Sequence, residues 1–530
     1  MPILNGNDLL EAGWRPGPEI GRALAVAAEY ERKGITDPKY LLKLVAKQVP
    51  PSAPKAEMRG TAAPLAEAIE ASCEVTAENV KNVRRHMTEL LRVPVIERGA
   101  IMPDACPAGA ALGTIPVGGA IAVRNAIIPS AHSADICCSM YATFFQSGKD
   151  VKELLDDLMA STRFGVGGRK AEEIVPHPVV DEPVWGNPFL SGLQESARVH
   201  IADQGDGNHF AYLGHVEFGP DDLVKLETAG KAELAARMRS ASVSGERFEG
   251  LALVTHHGSR ALGAKVYARG QKAATKHTNR VAQGIPDCAH WLDYSESDGQ
   301  SYWEALQYVS RWTLANHQSI HRRFVERSGA NAVCEFGNEH NFVWKRGDLF
   351  LHGKGATPAW KGEDRHPALG LIPLNMAEPI LMVLGSDNAD YLSFAPHGAG
   401  RNVSRSATLR AFRKEDGSLD ERRVQAEIAR RTAGLDIRWW YGRPDLSESP
   451  VGYKNAAEVK AQIARFGLAE IVTEIRPLGC IMAGDMGTPP WLRREEQLTP
   501  KQLRQIEHRA DRRKTRQRLS HDRGEDDGDV

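Results

Sequence analysis

Six polar residues, far apart along the chain, constrain its fold more than any other feature: Asp135, Cys138, His209, His256, His340 and His397. They sit in short distinctive segments, most of them marked by Gly or Asn: D-I-C-C-S, G-D-G-N-H-F, H-H-G-S-R, N-E-H-N-F and P-H-G-A-G-R. Carboxylate, thiolate and imidazole are the side chains that bind divalent metals. Asp135 and Cys138 are close enough to share one metal site, and a thiolate has lone pairs enough to bridge two ions. Five such ligands exceed a four-coordinate structural site and suit two ions that share ligands. The expected fold gathers distant turns into one metal cluster, with His397 beside it.

The remaining chemistry-bearing segments concern phosphate. Gly398 and Gly400 flank Ala399 and free the backbone after His397 to cradle a phosphate, which Arg401 could neutralise. Imidazole can also act as a covalent nucleophile toward phosphorus. His352-Gly353-Lys354-Gly355 is a second Gly-flanked cation, although the spacing of a Walker A loop is missing. Cys137 and His257 would point away from their neighbours on a strand and are left out of the cluster.

Composition places these residues in an ordinary globular protein. The chain has 530 residues, 42% hydrophobic and 25% charged, with a formal net charge of −1. No apolar run approaches the ~18 residues of a membrane helix. The N-terminus lacks the basic-then-apolar build of a signal peptide. Seven cysteines, two of them adjacent, do not make a disulfide framework. A reducing cytoplasm is the expected location, with at least one thiol free for metal and no membrane partner.

The periodicity predicts an α+β body. Val151 to Met159, Asp222 to Met238 and Tyr302 to Glu326 read as helices. Leu251 to Thr255 reads as a strand delivering His256, Pro379 to Leu384 as a buried strand, and Phe342 to His352 as a hairpin. No regular βαβ alternation is visible. Residues 163–200 form a Gly/Pro-rich connection. Residues 1–57 read as a helical appendage with a Pro-rich linker, 58–485 as the catalytic body, and 486–530 as a tail. Within the tail, Lys501 to Arg523 hold nine Lys/Arg against three acids, the pattern of a nucleic-acid contact or of a solvated helix.

Two resemblances follow from these segments. The run Gly13 to Gly21 resembles a small helical element of tRNA nucleotidyltransferases, which implies either an RNA anchor or a plain helical cap. Far more specific is a series recurring in one order: Met102-Pro103-Asp104, Asp135-Ile136-Cys137-Cys138, Gly207-Asn208-His209-Phe210, His256-His257-Gly258-Ser259-Arg260, Ala315-Asn316, His340-Asn341, Lys354-Gly355-Ala356-Thr357, Gly385-Ser386 and His397-Gly398-Ala399-Gly400-Arg401. Over residues 58–485 the chain resembles the RtcB family of GTP-dependent RNA ligases. The implied fold is a mixed β-sheet core with surrounding helices and an active-site cleft.

That resemblance implies a three-step reaction. His397 would attack the α-phosphate of GTP, the GMP would pass to an RNA 3′-phosphate obtained by opening a 2′,3′-cyclic phosphate, and a 5′-hydroxyl would displace GMP. Two Mn2+ ions would bind through Asp135, Cys138, His209, His256 and His340. A Cys/His set intrinsically favours zinc, so manganese rests on the resemblance alone. Nucleotide contacts would come from Asn208, Phe210, His340, Asn341, Ser386, Gly398, Ala399, Gly400 and Arg401, with Arg260 and Lys354 as weaker phosphate or RNA contacts. An activating protein partner is possible on the same grounds. Several positions depart from the family: Tyr212 replaces an acid, Cys137 and Ser139 replace glycines, Leu384-Gly385-Ser386-Asp387 stands for P-G-S-M with a shortened connection to His397, and Ala483 replaces a lysine expected at guanine. The altered base pocket leaves two alternatives: a metal-dependent cyclic phosphodiesterase that does not ligate, and a non-catalytic RNA-binding paralogue.

Overall fold

The computed structural model describes residues 2–14, 17–51, 55–109, 111–242 and 245–486. The basic stretch from Lys501 to Arg523 and part of the Gly13 to Gly21 segment lie outside the described residues. The chain divides into two compact units. The first, Met1–Glu57 with Asn279–Gly284, carries three helices, Gly6–Glu11, Pro18–Arg32 and Pro38–Gln48. Its core is Leu9, Trp14, Ala23, Ala27, Leu41 and Val45, and the Trp14 indole N–H donates to the Val49 carbonyl at 2.9 Å.

The second unit is built on two β-sheets. One has five strands in the order Leu65–Glu67, Ile96–Cys106, Val117–Arg124, Leu349–Lys354, Asn341–Arg346. The other has eight. Its path runs Leu369–Pro373, Ile380–Gly385, Ala469–Met482, Phe210–Phe218, Phe248–His257, Ser139–Gln146, Asn331–Glu339, with Asp436–Trp439 paired in parallel to Ala469–Met482. All neighbours along that path are antiparallel, so the α+β expectation holds. Among the described residues no helix is long and apolar enough to cross a membrane.

The strand Ser139–Gln146 shows why the larger sheet is buried on both faces. Met140, Ala142 and Phe144 point into one core with Tyr212, Phe248, Val254 and Met382. Tyr141, Thr143 and Phe145 alternate to the other side, where the long helix Ser297–Ser328 brings His321 against Thr143 and Phe324 against Phe145. The helix Val151–Ser161 begins with a reciprocal cap, Asp150 to the Glu153 N–H and Glu153 to the Asp150 N–H. Its leucines 154, 155 and 158 are buried as the periodicity predicts.

The helix expected over Asp222 to Met238 is instead two, Pro220–Thr228 and Ala232–Ser240. Gly230 at φ 74° breaks it, because a left-handed residue ends a helix whatever the apolar spacing on either side. The hairpin forms as expected, with Asn341–Arg346 and Leu349–Lys354 turning at Gly347 and Asp348.

Candidate active site

Four adjacent strands of the larger sheet explain how residues distant in sequence become neighbours. Cys138 immediately precedes Ser139–Gln146, His209 precedes Phe210–Phe218, His256 lies near the end of Phe248–His257, and His340 follows Asn331–Glu339. In an antiparallel sheet the start of one strand lies beside the end of the next. The register confirms this: Met140 pairs with His256, Phe210 with His256 and Ser139 with Glu339. All four donors therefore emerge from the same edge of the sheet, and Asp135 joins them from the turn before Cys138.

The donor atoms form two groups of three, Cys138–His256–His340 and Asp135–Cys138–His209, each with its atoms within 4.8 Å of one another. Cys138 belongs to both. Its Sγ lies 3.1 Å from His256 Nε2 and 3.7 Å from His209 Nε2; His209 Nε2 lies 2.9 Å from Asp135 Oδ2, and His256 Nε2 lies 3.1 Å from His340 Nε2. Backbone carbonyls fix two of the rings. His209 Nδ1 donates to Gln204 O at 2.9 Å and His256 Nδ1 to Asn208 O at 3.1 Å, so both Nε2 lone pairs face inward. Gly258 keeps the space open, since a Cβ there would collide with the Asp135 carboxylate.

Electrostatics favour the same reading. Burial lowers His256 to about 3 and, with the neighbouring imidazoles, holds His340 well below the usual range, so both rings are neutral lone-pair donors. Burial pushes the Asp135 carboxyl up, but His209 outweighs it, with Cys138 and Arg260 helping, and holds it down to about 2. Burial and the Asp135 charge push the Cys138 thiol well above its usual value. A buried thiol shared by two donor triads becomes a thiolate only beside positive charge, which a divalent cation provides. The donor set thus fits two ions.

His397 stands on the other wall of the same cavity, a space of about 320 Å³. The short strand Phe394–Pro396, paired with Ala356–Pro358, delivers it. Its Nδ1 lies 2.5 Å from Asp104 Oδ2, and its backbone N–H donates to the same oxygen at 3.2 Å. Asp104 is fully buried, and Lys454 fixes the backbone on both sides of it by donating to Pro103 O and Ala105 O at 2.9 and 2.7 Å. The imidazole therefore carries its proton on Nδ1 and presents Nε2. The ring packs 4.9 Å from His340, centroid to centroid. Gly355, at φ 62°, permits this, because a Cβ there would sit 2.8 Å from the His397 ring.

The sequence-derived nucleotide residues divide clearly. Asn208, Phe210, His340, Asn341, Lys354, Gly398, Ala399, Gly400 and Arg401 all line the cavity. Asn341 Oδ1 accepts the Gly355 N–H at 2.7 Å, Phe210 packs 5.1 Å from the His256 ring, and Lys354, donating to Ile115 O, is lowered by burial to about 8. Arg401 stacks on Tyr453 at 5.2 Å and donates to Ser447 O and Val403 O.

Ser386 does not reach the cavity. It follows Ile380–Gly385, whose opposite end, Ile380, lines the site, so about 20 Å of extended chain separates the two. The cavity is lined instead by Pro373, Leu374, Asn375 and Met376, in the turn before that strand. Arg260 is also placed elsewhere. It donates to Gly165 O at 3.0 Å and lies 3.7 Å from the buried Asp203, outside the cavity lining.

Sequence reasoning assigned no role to Asp104, although it ends the quoted Met102-Pro103-Asp104 segment. Asn375, Arg405, Glu448 and Tyr453, all cavity-lining, carried no local signal. Tyr212 lines the cavity with its hydroxyl donating to Ile475 O at 2.9 Å. Ala483 is buried and accepts the Tyr441 N–H. His257 stacks on His317 at 3.5 Å, away from the cluster, as the strand alternation predicts.

The comparisons agree with this architecture. The profile of the family described as tRNA-splicing ligase RtcB matches residues 189–483. Similar proteins include the tRNA-splicing ligase RtcB of Pyrococcus abyssi, 26% identical over 387 residues covering 62% of this chain and 39% of that protein. That of Thermococcus kodakarensis is 24% identical over 438 residues, 69% of this chain and 84% of that protein. The RNA-splicing ligase RtcB of Escherichia coli is 23% identical over 434 residues, 76% of this chain and 94% of that protein. The chain thus spans about two fifths of the length of the Pyrococcus abyssi relative and most of the other two.

Proposed function

The chain belongs to the RtcB family, and from that premise we propose that it is a metal- and GTP-dependent ligase joining RNA 3′-phosphate or 2′,3′-cyclic phosphate ends to 5′-hydroxyl ends. The observation that carries the proposal is that His397, paired with Asp104, lines the same cavity as Asp135, Cys138, His256 and His340, members of two donor triads that share Cys138.

In this reading each residue has a role. His397 Nε2 attacks the α-phosphorus of GTP, a P–N bond forms, and pyrophosphate leaves. The imidazolium so generated keeps its Nδ1 proton against the Asp104 carboxylate, which stabilises the positive ring. Gly398, Ala399 and Gly400 let the backbone approach the nucleotide, and Arg401 and Lys354 offset phosphate charge. GMP then passes to an oxygen of the RNA 3′-phosphate, and the 5′-hydroxyl oxygen displaces it to form the phosphodiester. Asp135, Cys138, His209, His256 and His340 would hold two manganese ions, which when bound supply Lewis-acid stabilisation of charge on phosphorus.

The test is incubation of purified protein with manganese and α-labelled GTP, followed by RNA carrying the two end types. Label that survives alkali, is lost in acid and disappears in His397→Ala supports the ligase. Opening of cyclic phosphate without protein labelling would assign the phosphodiesterase alternative.

A further inference from the structure

Asn316 does not line the cavity, yet it is tied to the metal donors through a short chain of hydrogen bonds. It lies in the interior of the helix Ser297–Ser328 and is fully buried. Asparagine is a poor helix former at such a position, because its side chain competes for backbone groups. Here that competition is directed across the fold. Asn316 Oδ1 accepts the Asp203 N–H at 3.1 Å, and its Nδ2 donates to the Asp203 carbonyl at 3.0 Å. The amide pairs with the donor and the acceptor of one residue together, as a neighbouring strand would.

Asp203 opens the turn that ends at His209. Its carboxylate, also fully buried, accepts the Gly205 N–H at 3.2 Å and is held by His200 at 2.8 Å and Arg163 at 3.1 Å. The Gln204 N–H donates to Arg163 O at 2.8 Å, and Gly205 O accepts the Gly165 N–H at 2.6 Å. Both sides of Gln204 are therefore fixed, and its carbonyl is the one that receives His209 Nδ1–H at 2.9 Å.

The other ring-orienting carbonyl of this turn, Asn208 O, holds His256 and is placed differently. Phe210, two residues further on, pairs with His256 in the sheet. Gly205 and Gly207, at φ 93° and 68°, bend the chain between the two carbonyls. Asn316 Nδ2 also lies 3.4 Å from His257 Nδ1, but His256 is paired on both sides, with Met140 and Phe210, so its place does not depend on that contact. Asn316 bears on Gln204, and the sheet bears on Asn208.

We propose that Asn316 is a positioning residue for one of the two ions, the one at Asp135, Cys138 and His209, and that it acts through Asp203 and the Gln204 carbonyl. Removing the amide leaves a buried N–H and a buried C=O to find new partners, so the turn shifts and His209 Nε2 moves with it. The proposal rests on the metal-binding part of the reading above and is independent of the reaction.

A cycle of metal-binding variants tests it. In His340→Ala the complete donor triad that remains is Asp135, Cys138 and His209; in His209→Ala it is Cys138, His256 and His340. Competition with a coloured chelator reads the cobalt affinity of each, with and without Asn316→Ala. In the His340→Ala background the alanine is expected to weaken cobalt about 10- to 100-fold, the loss usual when a group that orients a ligand is removed. In the His209→Ala background the change should stay within about threefold. A merely structural role would lower both alike, so equal losses in the two backgrounds, or no loss in the first, would overturn the proposal. If Asn316→Ala shows no cooperative urea transition, Asn316→Ser replaces it. Its hydroxyl can keep one of the two bonds, so a smaller loss confined to the same background is expected, and equal losses again refute the role. A parent protein that binds no cobalt removes the metal-site reading and this proposal with it. Absence of GTP labelling with cobalt binding intact removes the ligase reading alone.

Discussion

Replacing Asp104 with Asn isolates the contribution of the carboxylate to the nucleophile. Asp104 is fully buried, and one oxygen receives both the Nδ1–H of His397 and its backbone N–H. The other oxygen has no hydrogen-bond partner among the described residues. Asparagine preserves the shape and removes the charge. A hydrogen bond to a charged group is worth about 1.5–3 kcal/mol, and here that energy grows as the ring becomes positive. Transfer of label from GTP to His397 should therefore slow by about 10- to 100-fold, with nucleotide affinity within about threefold of the parent because Asp104 is not among the residues that line the cavity. Single-turnover labelling under saturating GTP reads the rate, and its concentration dependence reads the affinity. A variant that labels at the parental rate would show that the carboxylate does not set the ring's tautomer, and the assignment of Nε2 as the attacking atom would fall.

Three further outcomes follow from the same geometry. Cys138→Ser removes the atom common to both triads, so cobalt bound in place of the native metal should lose its sulfur-to-metal absorption band and both ions should bind more weakly; retention of one unperturbed ion would exclude a shared thiolate. Gly355→Ala forces a left-handed φ and a Cβ against the His397 ring, which should cost about 1–2 kcal/mol of stability and slow labelling, whereas an unchanged labelling rate would show that the ring's seat tolerates displacement. Burial lowers His132 to about 4 and His321 and His352 to about 3. The unfolded chain binds these protons from about pH 6.5 downward and the folded protein does not, so stability is full above that pH and falls as pH drops toward 3–4, by up to about 1.4 kcal/mol per group per pH unit. Urea midpoints at pH 7.5 and 5.5 measure this, and a flat profile would contradict it.

Four of the candidate metal donors, Cys138, His209, His256 and His340, were legible because they lie at strand ends where short, distinctive segments are needed to turn the chain. What they could not reveal was company across the fold. Asp104 stood in plain view, but its partner is His397, and nothing local in Met102-Pro103-Asp104 says so. Ser386 lies outside the cavity, and only strand register shows that the opposite end of Ile380–Gly385 faces it. Arg260 looked like a phosphate contact since the buried Asp203 that draws it is recognisable only in three dimensions. Fold class and most helices followed from periodicity; the break at Gly230 did not, because apolar spacing continues across it.

The delivery of Cys138, His209, His256 and His340 from one edge of four neighbouring strands also bears on how such a protein can diversify. The sheet acts as a jig: the positions of the four donors depend on strand pairing and not on the path the chain takes between them. The surface turn between the helices Pro220–Thr228 and Ala232–Ser240, on the connection between the strand after His209 and the strand of His256, could be lengthened, trimmed or exchanged while the donors stay at their stations. Relatives can therefore drift far apart in their connecting segments and still inherit the same reactive centre.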